Sequence, residues 1–259
     1  MPEHAHKDAL VDLLLATADD KLMLGHRNSD WTGLAPILEE DIAFSSIAQD
    51  DLAHAQALYE LAADLTGRSA DELAYGRTVD AFRCATLFEL SDDFDWATAI
   101  VRQFFGAHFQ ALRLSRMVRS SDQRLAALAK RLRAEQQVEV EHVDHWMVRL
   151  AKGTDESRQR VRKALDTLAP HAVMLCEATA GEDDLATAGI YPPLEDGRAM
   201  FDAWHARVKA VLDEAGLEAA LDQPDADTKG GRRGVHSDEF KAVLDEMCEV
   251  YRLEPGGAW

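Results

Sequence analysis

The chain is short of three things, and each shortage excludes something. Cysteine occurs three times in 259 residues, at Cys84, Cys176 and Cys248, with no CxxC pair. That excludes a disulfide framework and a thiolate zinc site of the usual spacing, and it fits a reduced, cytoplasmic protein with small buried thiols. Basic residues are scarce, 28 Lys and Arg against 47 Asp and Glu, a formal net charge of -19. Nucleic acid and anionic membranes bind clustered Lys and Arg, so both are excluded as partners. Long apolar runs are missing too: none approaches the ~18 residues of a membrane span. The start, Met1-Pro2-Glu3-His4, lacks the basic and apolar segments of a signal peptide.

What remains is ordinary globular composition, 47% hydrophobic and 29% charged, arranged almost wholly at helical spacing. A first helix is expected from about Asp8 to His26, with the stripe Leu10, Leu13, Thr17, Asp20 and Leu24. A turn with Gly33 and Pro36 leads to a second, about Ile37 to Leu65, stopped by Gly67. Its stripe runs Phe44, Ile47, Asp51, His54, Leu58, Leu61, Leu65. A weaker connection carries short helical pieces at Ala70–Leu73 and Val79–Phe82. Ser91-Asp92-Asp93 reads as the cap of a third helix, Phe94 to Val118. Ser120-Ser121-Asp122 opens a fourth, ending near Leu150 before Gly153, with Glu139, His142 and Trp146 on its stripe.

Two short turns make two antiparallel hairpins, and the long link between them suits a crossover. That is ferritin-like connectivity. The expected fold is all-α, a single ferritin-like domain over 1–259 with its core bundle at about 8–151. A helical extension follows at about 155–252, with pieces at Glu156–Thr179, Gly197–Ala215 and Ser237–Arg252 broken at Pro192-Pro193.

A ferritin-like di-iron site draws one carboxylate from each of two helices and Glu-x-x-His from each of the other two, since i and i+3 share a face. The first helix offers Asp20, with Asp19 beside it. The second offers Asp51-Leu52-Ala53-His54, and the fourth offers Glu139-Val140-Glu141-His142. The third breaks the pattern, because Trp96 through Ser121 contains no Asp or Glu. Asp51 lies 31 residues after Asp20, and the residue 32 before Glu139 is Ala107, which binds no metal. His108 is adjacent but faces another way. The vestigial candidates are Asp20, Asp51, His54, Glu139 and His142. Asp51 and His54 read equally as a buried hydrogen-bonded pair, while Glu141 and His145 crowd the turn that holds Glu139 and His142. The loop Gly230-Gly231-Arg232-Arg233-Gly234 carries two readings, a phosphate cradle or a solvated turn or subunit contact.

Several stretches carry a resemblance. They are Leu24-Gly25-His26-Arg27-Asn28-Ser29-Asp30-Trp31, Ala35-Pro36-Ile37-Leu38-Glu39-Glu40-Asp41-Ile42-Ala43, and Ile47 through Tyr59. Trp146-Met147-Val148-Arg149-Leu150 with Gly153-Thr154, Gly230 through His236, Leu244-Asp245-Glu246-Met247, and Pro255-Gly256-Gly257-Ala258-Trp259 extend it to the end of the chain. Together they resemble the C-subunit family of the bacterial phenylacetyl-CoA epoxidases, also called ring 1,2-phenylacetyl-CoA monooxygenases. The resemblance implies a ferritin-like, non-catalytic subunit that pairs with itself and supports a catalytic A-type partner. That partner carries the di-iron centre and binds the acyl-CoA, while a separate reductase supplies electrons from NADPH. Members of that family often carry His where Glu139 stands, so Val138-Glu139 is a departure.

Three functions compete. A scaffold subunit holds no metal and no cofactor of its own. A degenerate di-metal oxidase, active alone, needs a further carboxylate such as Glu135 or Asp19. A storage bundle of ferritin type fits poorly with the long helical extension past residue 155.

Overall fold

A computed structural model describes every residue except Met1, Asp92, Ala226, Gly256, Ala258 and Trp259, with the side chains of residues 2–5 also left aside. The capping role expected of Asp92 and the last residues of the C-terminal match therefore lie outside the described residues. The described chain is all helical, without strands, in keeping with a ferritin-like all-α fold. In chain order the α-helices are α1 (Pro2–Ser29), α2 (Leu38–Thr66), α3 (Ala70–Tyr75), α4 (Thr86–Glu89), α5 (Trp96–Met117) and α6 (Gln123–Lys152). Then come α7 (Asp155–Ala172), α8 (Glu182–Thr187), α9 (Met200–Ala215), α10 (Asp238–Met247) and α11 (Glu249–Leu253). Short 3-10 turns fall at Val79–Ala81, Val173–Cys176 and Gly231–Arg233.

The chain divides into two compact units. The first comprises Met1–Ser91, Ala178–Glu182 and Lys229–Trp259. Its frame is the α1–α2 hairpin. The α1 stripe Leu10, Leu13, Thr17, Asp20, Leu24 is buried throughout. The α2 stripe is buried from Phe44 to Leu61, with Leu65 half-buried. Gly25 lets the two helices approach, since a Cβ there would sit 2.7 Å from Leu52 Cγ and 3.1 Å from the Ala48 carbonyl oxygen. Gly67 ends α2 in the left-handed region (φ 75°), its N–H donating to the carbonyl of Ala63. The C-terminal segment belongs to this unit, with Phe240 of α10 edge-on to Phe82 at 5.6 Å.

The second unit comprises Asp92–Glu177 and Asp183–Thr228. In it α5 packs on α6, α7 and α9. Asp95 caps α5 by accepting the Thr98 N–H at 3.0 Å. The helix starts late because Asp93 and Phe94 hold positive φ, 48° and 54°, which no right-handed helix accepts. Asp122 caps α6 by accepting from the Arg124 and Leu125 N–H groups. Thr154 and Ser157 form a capping box at α7. The break expected at Pro192-Pro193 has a structural use: the carbonyls of Tyr191 and Pro192 accept from buried Arg116 at 3.1 and 2.9 Å. The last expected helix is split, because α10 stops at Met247 and Cys248 precedes α11.

Candidate functional site

The buried acids of the first unit define its chemistry. Asp19, Asp20 and Asp51 are each fully buried. A carboxylate in such a place needs a counter-charge and hydrogen-bond donors, or it does not stay ionised. In a di-iron site the counter-charge is metal. Here it is Lys and Arg.

Asp51 of α2 accepts from Lys21 Nζ of α1 at 2.5 Å, and from the side-chain amide of Asn28 at 3.5 Å. Lys21 is itself 2% exposed. Asp20 is held in a fork by Arg232, with Nη1–Oδ1 and Nη2–Oδ2 both 2.6 Å. The Ala85 N–H adds a third bond to Asp20 at 2.9 Å. Asp19 faces Arg77, with Nη1 3.0 Å from Oδ2 and Nη2 bonded to Oδ1. The Tyr59 hydroxyl and the Arg83 N–H also donate to Asp19, at 2.5 and 2.6 Å. Burial, and then the charge of Asp19, push the Tyr59 hydroxyl well above its usual range. His54 lies buried one helical turn after Asp51.

A fourth buried acid, Glu89 of α4, is closed by the C-terminal segment. His236 Nδ1 lies 2.7 Å from Oε1, and the Ser237 N–H donates to Oε2 at 2.7 Å. The loop from Gly230 to Ser237 thus serves two acids at once, Asp20 through Arg232 and Glu89 through His236. Arg232 is 1% exposed. Its place in the interior, bonded to Asp20, overturns the phosphate-cradle reading, although Arg233 and Val235 of the same loop stay exposed; Gly231 is glycine because a Cβ would fall 1.7 Å from the Cys84 carbonyl oxygen. Burial, and then Asp20 and Glu89, hold the Cys84 thiol far above its ordinary range.

In the second unit Glu139 of α6 is buried and accepts from the amides of Gln103 and Gln136, the latter at 2.8 Å. Ala107 is fully buried beside this pair on α5, its carbonyl 3.5 Å from the Gln136 amide nitrogen. His142 is half-buried, while Glu141, His145 and Glu135 are exposed. His108 turns instead to Asp144, with Nε2 2.7 Å from Oδ1.

Within each unit, then, the expected carboxylate ligands Asp20, Asp51 and Glu139 are engaged by other protein groups. Among the described residues, His, Cys, Asp and Glu form no group of three or more placed to hold a metal ion. A di-iron centre does not fit these donors, since Asp51, Asp19 and Asp20 already have Lys21, Arg77 and Arg232 as counter-charges. The sequence reading missed Lys21, Arg77 and Gln103, and it put Arg232 in a phosphate-binding or surface loop rather than opposite Asp20. Of the missed cations Lys21 left a trace, standing directly after Asp20 in the sequence.

Comparison with known proteins gives the family. A family model described as phenylacetic acid catabolic protein matches residues 1–259. The chain belongs to that family. It is 32% identical, over 251 residues, to the C subunit of 1,2-phenylacetyl-CoA epoxidase from Escherichia coli (strain K12). The match covers 96% of this chain and 99% of that protein. Among the described residues no helix is long and apolar enough to cross a membrane.

Proposed function

We propose that this chain is a non-catalytic structural subunit of a multi-component di-iron oxygenase that epoxidises the ring of phenylacetyl-CoA. It holds no metal, works in the cytoplasm and supports a separate, metal-bearing catalytic subunit. It also pairs with a second copy of itself, and the reductase reaches the complex through the catalytic subunit. The kinship with an epoxidase C subunit supports the setting. One observation carries the non-catalytic role: three buried carboxylates of one hairpin, Asp19, Asp20 and Asp51, are each neutralised by a buried Arg or Lys. The pairs fill the bundle with fixed protein charge and leave nothing for a cation to replace except at the cost of expelling them.

Plasma mass spectrometry on the protein expressed alone in iron-rich medium tests this. The expected value is far below one iron per chain, with no oxygen consumption on phenylacetyl-CoA and reductant. Adding the catalytic subunit and reductase should raise turnover above that of those two alone. About two irons per chain, together with turnover by the isolated protein, would overturn the proposal in favour of an independent oxidase.

A further inference from the structure

The α2 helix has a second face that its own unit leaves uncovered. Leu38, Ile42, Ser45, Gln49, Leu52 and Gln56 follow one another at steps of four and three, the spacing of a seam that packs against another helix. Leu38 is 71% exposed, Ile42 63% and Leu52 38%. Leu34 and Ile37, in the turn before α2, are exposed as well. Single exposed apolar side chains are ordinary, but a row of them in helical register marks an interface.

The far end of the row is concave. Gln49, Leu52 and Gln56 form one wall of a groove of about 390 Å³, with Leu22 of α1 in its floor and Asp71 and Tyr75 of α3 on its other side. Its lining mixes Leu and Ala side chains with Gln49, Gln56 and Tyr59, and carries one acid, Asp71. That shape suits a long side chain with a hydrocarbon stem and a positive end, which is Lys or Arg.

Charge decides what covers the face. From Asn28 through Gly67 there is no Lys or Arg, against seven Asp and Glu besides Asp51, which is buried against Lys21. The α2 helix of a second copy laid on this face, in either direction, would set acid against acid, since α2 itself carries no basic residue to relieve it. A different protein with a basic-rimmed apolar helix has no such conflict.

We infer that the exposed face of α2, with the groove beside α3, docks a different protein through an apolar helix flanked by Lys and Arg, one of whose basic side chains enters the groove. This rests on the proposed function, which makes the catalytic subunit that protein. Ile42 and Leu38 form the apolar centre, Glu39 and Asp71 the acidic rim.

The test is calorimetric titration of the full chain with the catalytic subunit of its own complex, at low and high salt, with sedimentation to follow self-association. Ile42→Asp and Leu38→Asp change exposed side chains, so both should melt like the unaltered protein while binding at least 100-fold more weakly. Glu39→Lys should bind several-fold more weakly and show a shallower salt dependence. If I42D and L38D bind as tightly as the unaltered chain, the inference fails and the proposed function stands. The inference also fails if those variants convert a dimer to monomers without weakening catalytic-subunit binding, since a second copy then covers the face. If the unaltered chain does not bind the catalytic subunit at all, the proposed function falls, and the inference with it.

Discussion

Replacing Arg232 by Met tests whether the buried acids depend on fixed protein cations. Asp20 is fully buried and Arg232 is 1% exposed, so solvent screens neither. The guanidinium makes both bonds of the fork to Asp20 at 2.6 Å, and Nη1 also donates to the carbonyls of Ala16 at 3.0 Å and Arg83 at 2.6 Å. Its loss leaves a buried carboxylate short of its counter-charge, a situation that costs about 3–5 kcal/mol. At about 2–4 °C per kcal/mol for a chain of this size, Arg232→Met should lower the melting temperature by roughly 6–20 °C. Removing both partners, in Arg232→Met with Asp20→Leu, should recover most of that loss, because an apolar pair of similar volume is about neutral against a buried ion pair. Thermal melts followed by far-ultraviolet circular dichroism, with iron measured on each variant, give both readings. A single variant that costs less than about 1 kcal/mol, or a double variant no more stable than the single, would refute the counter-charge argument. So would an R232M protein that retains its stability by taking up iron.

Two further outcomes follow from the same region. Gly231→Ala puts a methyl group 1.7 Å from the Cys84 carbonyl oxygen, and should lower the urea midpoint by an amount worth at least about 2 kcal/mol; an unchanged midpoint would mean the loop is not clamped where described. Cys84, fully buried with its thiol driven far up by burial and by Asp20 and Glu89, should alkylate at least tenfold more slowly than half-buried Cys176 in folded protein at pH 8, read by peptide mass mapping. Equal rates would show that the Cys84 shell opens readily.

Helices were legible in the sequence because their apolar stripes are long and regular: α2, α5 and α6 lie within a few residues of where periodicity puts them, and α1 begins six residues earlier than expected, at Pro2. Boundaries failed where backbone geometry intervened. The positive φ of Asp93 and Phe94 delays α5 to Trp96, and the last helix breaks at Cys248 without a Pro or Gly to announce it. The acids themselves were also legible, since an Asp on a buried stripe is unusual. Their partners were not. Arg232 stands 212 positions from Asp20, and Arg77 stands 58 from Asp19. No local pattern joins residues so distant. A glycine-rich loop with two arginines has a ready surface interpretation, and only the fold shows that Arg232 points into the core.

The missing acids of α5 follow from the same physics. Residues 99 to 110 of α5 form an unbroken buried run, so the helix has no water-facing side on which to carry Asp or Glu. Yet it is not closed to charge, because Arg102, Arg113 and Arg116 are all buried on it. The asymmetry has a cause. In a helical interior each backbone N–H is used within its helix, whereas each carbonyl keeps a second lone pair. An arginine finds acceptors there, as Arg116 does at Tyr191 and Pro192. A carboxylate finds few spare donors and must be met by a cation or by side-chain amides. Asp19, Asp20 and Asp51 are met by Arg77, Arg232 and Lys21, and Glu139 by Gln103 and Gln136. A metal ion and a basic side chain are therefore alternative answers to one requirement of the fold. A bundle can exchange the first for the second, keeping its inward-facing acids and its packing while giving up the chemistry. Inward-facing carboxylates alone therefore do not tell a metal site from an ion pair; the residue opposite each one does.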